Sequence, residues 1–315
     1  AQGEYVRALE HHQQSLAIRK QVFGESHPDV AHSYNNIGSV YHVQGDYAHA
    51  LVYYQQSLAI WKQVYGDFHP DVALSFSNIG NIYYAQGEYV RALEYHQQSL
   101  AIRKQIFGES HPSVANSYNN IGYVYDAQGD YARALEYYQQ SLVIRKQVYG
   151  ESHPGVATSY NNIGSVYHVQ GDYAHALEYY KQSLAIWKQV YGEYHPNIAT
   201  SYGNIGVLYH AQGDYTRALE YHQQSLVIRK QLFGESHPDV ALSYNNIGSV
   251  YDVQGNYTCA LEYYQQALTI LKQVYGEYHP YVATSYSNIG SVYHSQGDYT
   301  HALEYHQQSL TIRKQ

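Results

Sequence analysis

The sequence predicts an all-α fold, a solenoid in which antiparallel helix pairs stack on one another. A skeleton of the form HP–A–(Y/F)–NIG–Y–QG–Y–AL returns every 42 residues along the 315-residue chain, and apolar residues within each copy recur at helical spacing. A fixed period of this length is typical of proteins whose repeats bury their apolar faces only by stacking on their neighbours. We therefore predict a single array of about 7.5 repeats over residues 1–315.

The period also predicts where each unit begins. A half repeat occupies residues 1–26, and the following units start near His27, His69, His111, His153, His195, His237 and His279. The chain opens in mid-repeat at Ala1, ends in mid-helix at Gln315 and contains no methionine. We therefore expect it to be a segment of a longer protein.

The first helix of each unit is predicted to begin at an HPD-like segment, which is His27–Asp29 in the first copy. Proline fits the first helical turn, where its missing N–H would have no partner, and an acidic residue suits the positive end of the helix dipole. A buried stripe then follows at helical spacing, formed by Val30, Tyr34, Ile37 and Tyr41. The histidine of each HP pair is expected to cap this helix or to pack against the preceding turn.

A glycine recurs in the middle of the first helix, at Gly38 and its six later counterparts. Glycine in mid-helix costs about 1 kcal/mol relative to alanine, so its return indicates a close contact between helices. We expect Ala50 of the second helix to lie against it. The turn Gln44–Asp46 separates the helices, because glycine supplies a left-handed residue and aspartate caps the next N-terminus.

The second helix is predicted to bury Tyr47, Ala50, Leu51, Tyr54, Leu58 and Val64. The two predicted helices have roughly 17 and 19 residues, or some 25–28 Å at 1.5 Å per residue. A longer period of three repeats lies on top of the first, because residues 33–51 and 159–177 are identical and Trp61 and Trp187 obey the same spacing. Duplication of a three-repeat block would present the same surface twice.

Composition excludes several classes of function. The chain carries 18 basic and 26 acidic residues, a net charge of −8, with no basic stripe of the kind that binds nucleic acid. No apolar run approaches the ~18 residues that span a membrane. The single cysteine, Cys259, excludes an intrachain disulfide, and we expect a reducing, cytoplasmic compartment.

The order of small and large residues in each unit resembles the tetratricopeptide repeat, whose usual pattern is W–LG–Y–(F/Y)–A–(F/Y). Here the matching residues are Tyr34, Ile37, Gly38, Tyr41, Tyr47, Ala50, Leu51 and Tyr54. The sequence departs from that pattern in two ways: tyrosine or phenylalanine replaces the common tryptophan, and the unit has 42 rather than 34 residues. The longer unit resembles the repeats of kinesin light chains. The resemblance implies a right-handed superhelix whose first helices line a concave groove that binds peptide segments.

The edge of the first helix opposite the buried stripe carries the candidate peptide-binding residues. An asparagine ladder consists of Asn36, Asn78, Asn120, Asn162, Asn204, Asn246 and Asn288. Beside it lie further asparagines, Asn35, Asn119, Asn161 and Asn245, and variable positions that include Tyr123, His168 and His210. A primary amide can pair with an extended peptide backbone. The alternative is that each asparagine bonds a neighbouring helix and holds the stacking geometry.

Other chemistry is not expected on these helices. They contain no Lys or Arg, so the clamp with which some members of the resembling family hold a C-terminal carboxylate is absent. His42, His168, His210 and His294 share one position, but first helices should lie about 10 Å apart, too far for two ligands to share one zinc ion. Neither paired carboxylates, a Ser/His/Asp arrangement nor a phosphate-binding glycine loop is present. We predict a protein that is not an enzyme and has no metal or cofactor.

Three functions remain open from the sequence. The first is a non-enzymatic scaffold that binds a peptide segment of another protein in the groove. The second is a structural protein whose copies stack into a fibre or tube, since no polar capping repeat is visible at either end. The third is the sensor array of a larger signalling protein.

Overall fold

The structure, a computed structural model, describes residues 2–314, with the side chains of residues 5–314. Every regular element within these residues is an α-helix, which confirms the all-α prediction. The chain forms two compact units, one up to Glu151 and one from Ser152, and each is described by itself. The prediction of a single array over residues 1–315 stays a prediction.

The first unit contains a leading second-type helix and three helix pairs. Its helices are α1 (Gln2–Phe23), α2 (Pro28–Gln44), α3 (Tyr47–Tyr65), α4 (Pro70–Ala85), α5 (Tyr89–Phe107), α6 (Pro112–Ala127) and α7 (Tyr131–Tyr149). The second unit contains four pairs. Its helices are α8 (Pro154–Val169), α9 (Tyr173–Tyr191), α10 (Pro196–Ala211), α11 (Tyr215–Phe233), α12 (Pro238–Val253), α13 (Tyr257–Tyr275), α14 (Pro280–Ser295) and α15 (Tyr299–Arg313).

Each first helix begins at a histidine cap, as the HP pairs predict. The backbone N–H of Asp29 donates to Nδ1 of His27 at 3.2 Å, and the same bond recurs at the start of every later first helix. The capping ring also stacks on the last aromatic residue of the preceding second helix. The ring centroids of Tyr65 and His69 lie 4.1 Å apart, and those of Phe233 and His237 lie 4.4 Å apart. One histidine side chain therefore packs on the end of one helix pair and caps the start of the next.

The recurring glycine of the first helix lies against an aromatic ring of the second helix. A Cβ on Gly38 would stand 2.9 Å from Cδ1 of Tyr54 and 3.3 Å from the backbone oxygen of Ala50. The close contact is therefore confirmed, but Tyr54 rather than Ala50 makes the nearest approach. In other repeats the ring is a histidine, and Gly80 faces His96 in this way.

Buried polar side chains join the helices within and between repeats. The Ser57 hydroxyl of α3 donates to the backbone oxygen of Ala31 in α2 at 2.9 Å. The Arg229 guanidinium of α11 reaches the next first helix, where it donates to the Ser243 hydroxyl at 2.8 Å and to the backbone oxygen of Asp239 at 3.2 Å. At the same position of α3 the buried Trp61 packs on α4 instead. These contacts fix which side of each first helix stays accessible.

Candidate protein-interaction face

The candidate site is the edge of the first helices that lies opposite the buried stripe predicted from the sequence. We call it the first-helix face and define it by the positions of residues 32, 35, 36, 39, 42 and 43 in the first copy and their counterparts every 42 residues. In the first unit it belongs to α2, α4 and α6, and in the second unit to α8, α10, α12 and α14. Asn36, Ser39 and Val43 are exposed at the start of this face.

Three amides of the asparagine ladder bond the preceding first helix. Asn78 Nδ2 donates to Asn35 Oδ1 at 2.8 Å, and Asn204 Nδ2 donates to Asn161 Oδ1 at 3.1 Å. Asn120 Nδ2 donates to the Ser77 hydroxyl at 3.3 Å. This is the stacking geometry that the sequence left open as the alternative to peptide binding. Each bond uses one of the two N–H groups of the donor amide, and the role of the ladder in peptide binding stays a prediction.

The ladder is not equally accessible along the chain. Asn36 is exposed, whereas Asn162 and Asn119 are buried. The remaining predicted asparagines are half-buried, and they are Asn78, Asn120, Asn161, Asn204, Asn246 and Asn288. Gly203 replaces the asparagine that would face Asn246, so the amide pairing is not possible in every repeat.

The predicted histidines of the face are half-buried and packed beside tyrosine rings. The ring centroids of His168 and Tyr173 lie 6.1 Å apart, and those of His210 and Tyr215 lie 5.8 Å apart. Burial lowers the pKa of both histidines, which favours their neutral form at pH 7. Within residues 2–314, no three His, Cys, Asp or Glu side chains are grouped as metal ligands would be.

The charged side chains of the first-helix face are carboxylates. The first helices contain no Lys or Arg, and Asp126 and Asp252 occupy the position that histidine holds in most other copies. Burial raises the pKa of both carboxyl groups above the ordinary value. A half-buried carboxylate without nearby cations favours a cationic partner. The face is therefore polar and locally acidic.

Tyr123 and its neighbours form the most distinctive part of the face. Tyr123, which was predicted as a site residue, and Tyr84 are each 38% exposed, so both rings are accessible. The Tyr123 ring meets the ring of Tyr138 edge to face, with the centroids 5.6 Å apart. The Tyr138 hydroxyl is buried and has no hydrogen-bond partner.

Tyr138 was not among the site residues predicted from the sequence, because it occupies the same core position as Tyr54. The residue type that lies beside this position in other repeats could have pointed to it. Burial raises the pKa of Tyr54 and Tyr264, and the nearby hydroxyl of Ser39 or Ser249 acts in the opposite direction. Tyr123 stands where those serines stand, so Tyr138 lacks the neighbouring serine.

The sequence also did not predict clefts on the side of the second helices. One cleft of the second unit lies between the loop before α10 and helix α11, and it is lined by Glu193, Tyr194, Tyr202, Gln223, Val227 and Ile228. An equivalent cleft 84 residues later is lined by Glu277, Tyr278, Tyr286, Gln307, Thr311 and Ile312. These clefts offer a second surface, which any binding experiment must separate from the first-helix face.

None of the helices in the described part of the chain is both long enough and apolar enough to pass through a bilayer. Two histidines of the second helices with strongly lowered pKa values are buried in contacts between helices. His96 and His222, whose pKa burial lowers to about 4, both pack on a glycine of the adjacent first helix. Their environment is that of packed structural residues.

Comparison with known families agrees with this architecture. The sequence profile of the family described as "Tetratricopeptide repeat" matches seven overlapping stretches that together cover the chain, residues 1–63, 31–105, 71–147, 113–189, 155–231, 198–273 and 239–315. No curated protein sequence matches the chain.

Several solved structures are similar in fold. BtubC (BKLC) from P. vanneervenii has 21% identity and a TM-score of 0.59, over 86% of this chain and 92% of that one. A putative kinesin light chain from Podospora anserina has 24% identity and a TM-score of 0.57, over 66% of this chain and 98% of that one. Aspartyl phosphate phosphatase F from Bacillus subtilis has 15% identity and a TM-score of 0.69, over 95% and 74%. At these identities the likeness concerns the fold alone.

Proposed function

The chain belongs to the tetratricopeptide repeat family, and on this premise we propose that it is a non-enzymatic scaffold that binds a peptide segment of another protein on its first-helix face. The observation that carries the proposal is where the copies differ. Residues that recur in every copy, such as Gly38 and Ile37, are buried in packing. Five of the six positions of the first-helix face vary between copies, and one of them holds His42, Tyr84 or Asp126 in successive repeats.

The asparagine ladder can contribute to peptide binding while it also joins neighbouring first helices. A primary amide that donates one N–H to the neighbouring helix has a second N–H and further acceptor capacity at its oxygen. The bond between Asn78 and Asn35 holds both amides in one orientation. Such preorganised groups lose little side-chain entropy when a peptide backbone docks against them.

The tetratricopeptide fold is usually non-catalytic, and the side chains here agree with that role. Similarity to a phosphatase structure at 15% identity concerns the fold, so it brings no reaction to this chain. Function is therefore argued from the accessible residues of the face.

The test is a steric block on one side of the protein. The whole chain would be used to select binders from a displayed library of random 12-residue peptides, whose affinities are then measured by fluorescence anisotropy. Val43, Val169 and Val253 are exposed on the first-helix face, and their simultaneous replacement by tryptophan should abolish binding without lowering the melting temperature.

The matched control places the same bulk on the second helices. Gln55, Gln223 and Gln307 are exposed there, and tryptophan at all three should leave the affinities unchanged. The reverse result, with binding lost only in the glutamine variant, would move the site to the clefts of the second helices. A library that yields no binder would argue against a peptide scaffold altogether.

A further inference from the structure

The cluster around Tyr123 in the first unit has the features of a subsite for a cation. It consists of Tyr84 of α4, Tyr89 of α5, Tyr123 and Asp126 of α6, and Tyr138 of α7. We propose that this cluster binds the cationic side chain of a lysine or arginine in the docked peptide. The inference rests on the proposed function, because it names the chemistry of the segment that the face would hold.

The first step concerns the hydroxyl of Tyr138. The residue is 1% exposed and its Oη has no hydrogen-bond partner. A buried polar group left unpaired costs roughly 1–3 kcal/mol. The Tyr123 ring contacts the Tyr138 ring, and burial, followed by Asp126, Tyr123 and Tyr84, raises the pKa of the Tyr138 hydroxyl, so it lies close to these residues of the cluster. An ammonium or guanidinium group entering the cluster would donate to the Tyr138 oxygen.

The second step concerns the aromatic walls. Tyr84 and Tyr123 each leave 38% of their surface accessible, and the Tyr84 and Tyr89 rings lie 6.0 Å apart. The face of a tyrosine ring attracts a cation through its quadrupole, and the attraction grows when water is excluded. The alkyl part of a lysine or arginine would pack on the same rings.

The third step concerns charge. Asp126 is half-buried, and desolvation is the only cause that raises the pKa of its carboxyl group. The residue forms no ion pair within the part of the chain that the structure describes. Arg145 lies near Tyr123, but its guanidinium is buried and donates to Asn116 Oδ1 at 3.0 Å. The carboxylate therefore lacks the opposite charge that would offset its burial, and an anionic ligand would be repelled.

The second unit contains a natural counterpart without the aromatic walls. Asp252 and Tyr264 correspond to Asp126 and Tyr138, 126 residues later, but Ser249 and His210 replace Tyr123 and Tyr84. Burial raises the pKa of Tyr264, and the nearby Ser249 hydroxyl acts in the opposite direction. Because this copy keeps the carboxylate but has a serine beside the inner hydroxyl, it serves as the control for the cluster of the first unit.

The experiment uses the whole chain and the 12-residue peptides selected as described above. Each selected peptide that contains Lys or Arg is resynthesised with norleucine at that position, and affinities are compared for the wild type and for Asp126→Asn, Tyr123→Ser and Asp252→Asn. Lysine and arginine should be enriched at one peptide position. Replacement of the cationic residue by norleucine and the Asp126→Asn variant should each weaken binding by about 3–30-fold, the range for a cation held by aromatic rings. The two effects on affinity should not be additive, because both changes remove the same interaction.

The controls separate this inference from the proposed function. Tyr123→Ser should lower the affinity for the cationic peptides. It should not lower the free energy of unfolding, since it introduces the serine that the second unit has beside Tyr264. Asp252→Asn should weaken binding of these peptides much less than Asp126→Asn does, because the second copy lacks the two tyrosine walls. Peptides that need the first-helix face but show no preference for Lys or Arg, or that respond equally to both aspartate variants, would overturn the cation subsite and leave the scaffold intact. Failure to select any peptide would overturn both.

Discussion

The contact between Gly206 and His222 shows how single residues decide the packing of a helix pair. A Cβ on Gly206 would lie 2.7 Å from Cε1 and Nδ1 of the buried His222 ring. Gly203, one turn earlier in the same helix, would place its Cβ 3.7 Å from the Ser225 hydroxyl, which is an ordinary contact. Two glycines of one helix are therefore expected to respond in opposite ways to the same substitution.

Gly206→Ala should destabilise the protein by about 1–3 kcal/mol, because the buried ring must shift to admit a methyl group. Gly203→Ala should stabilise it by up to about 1 kcal/mol through helix propensity alone. The midpoint of urea unfolding, followed by far-ultraviolet circular dichroism, measures both effects. Equal shifts in the same direction for the two variants would contradict the assigned contact.

A buried histidine should make stability depend on acid. His96 is 2% exposed, and burial, followed by the nearby Arg103 charge, lowers its pKa from 6.5 to about 4. The unfolded chain takes up this proton below about pH 6.5, whereas the folded chain does so only near pH 4. The stability contribution is therefore complete above pH 6.5 and is lost as the pH falls to 4, at about 1.4 kcal/mol per pH unit.

His96→Tyr should reduce this loss, since tyrosine fills the same position at Tyr54 and carries no charge in this range. Between pH 6.5 and 4 the variant should retain up to about 3 kcal/mol more of its stability than the wild type does. Unfolding midpoints at a series of pH values test this, with His11→Tyr as the control at an exposed position. Parallel curves for the wild type and His96→Tyr would show that His96 does not carry the effect.

At the scale of elements, the helix boundaries could be predicted because they depend on local backbone chemistry. The expected helices of 17 and 19 residues are found in α2 and α3, where Pro28 stands at the first position and Gly45 has a φ of 79°. Later first helices have 16 residues, because they end one residue before the glutamine of the same Gln–Gly pair. Proline, glycine and capping side chains act on their own segment, so their effect can be deduced without the rest of the fold.

Contacts between elements were less predictable, because they depend on the direction in which each side chain leaves its helix. Spacing alone placed Ala50 against Gly38, but the longer Tyr54 ring reaches the glycine first. The contacts of the candidate site were difficult to predict for the same reason. Asparagine at position 36 could be recognised as a ladder, whereas its bond to the preceding helix and the unpaired Tyr138 hydroxyl required the packed structure.

At the scale of the molecule, each helix packs mainly on the helices next to it within its own compact unit. The same contacts recur in every repeat of a unit. The free energy of unfolding of a unit should therefore be the sum of one contribution from each repeat and one from each interface between neighbouring repeats. A local defect should then weaken its own repeat most and distant repeats least. The second unit, with four complete pairs, allows this to be tested within one compact body.

Native-state hydrogen exchange on the whole chain provides the measurement. In Gly206→Ala, amides of α10 and α11 should lose the most protection, and those of α14 and α15 the least, since the altered contact lies between α10 and α11. Gly290→Ala is the matched variant at the other end of the unit, where the Cβ would lie 2.9 Å from the His306 ring. Its gradient should run in the opposite direction. A uniform loss over α8–α15 in both variants would instead show that the second unit unfolds as one cooperative block.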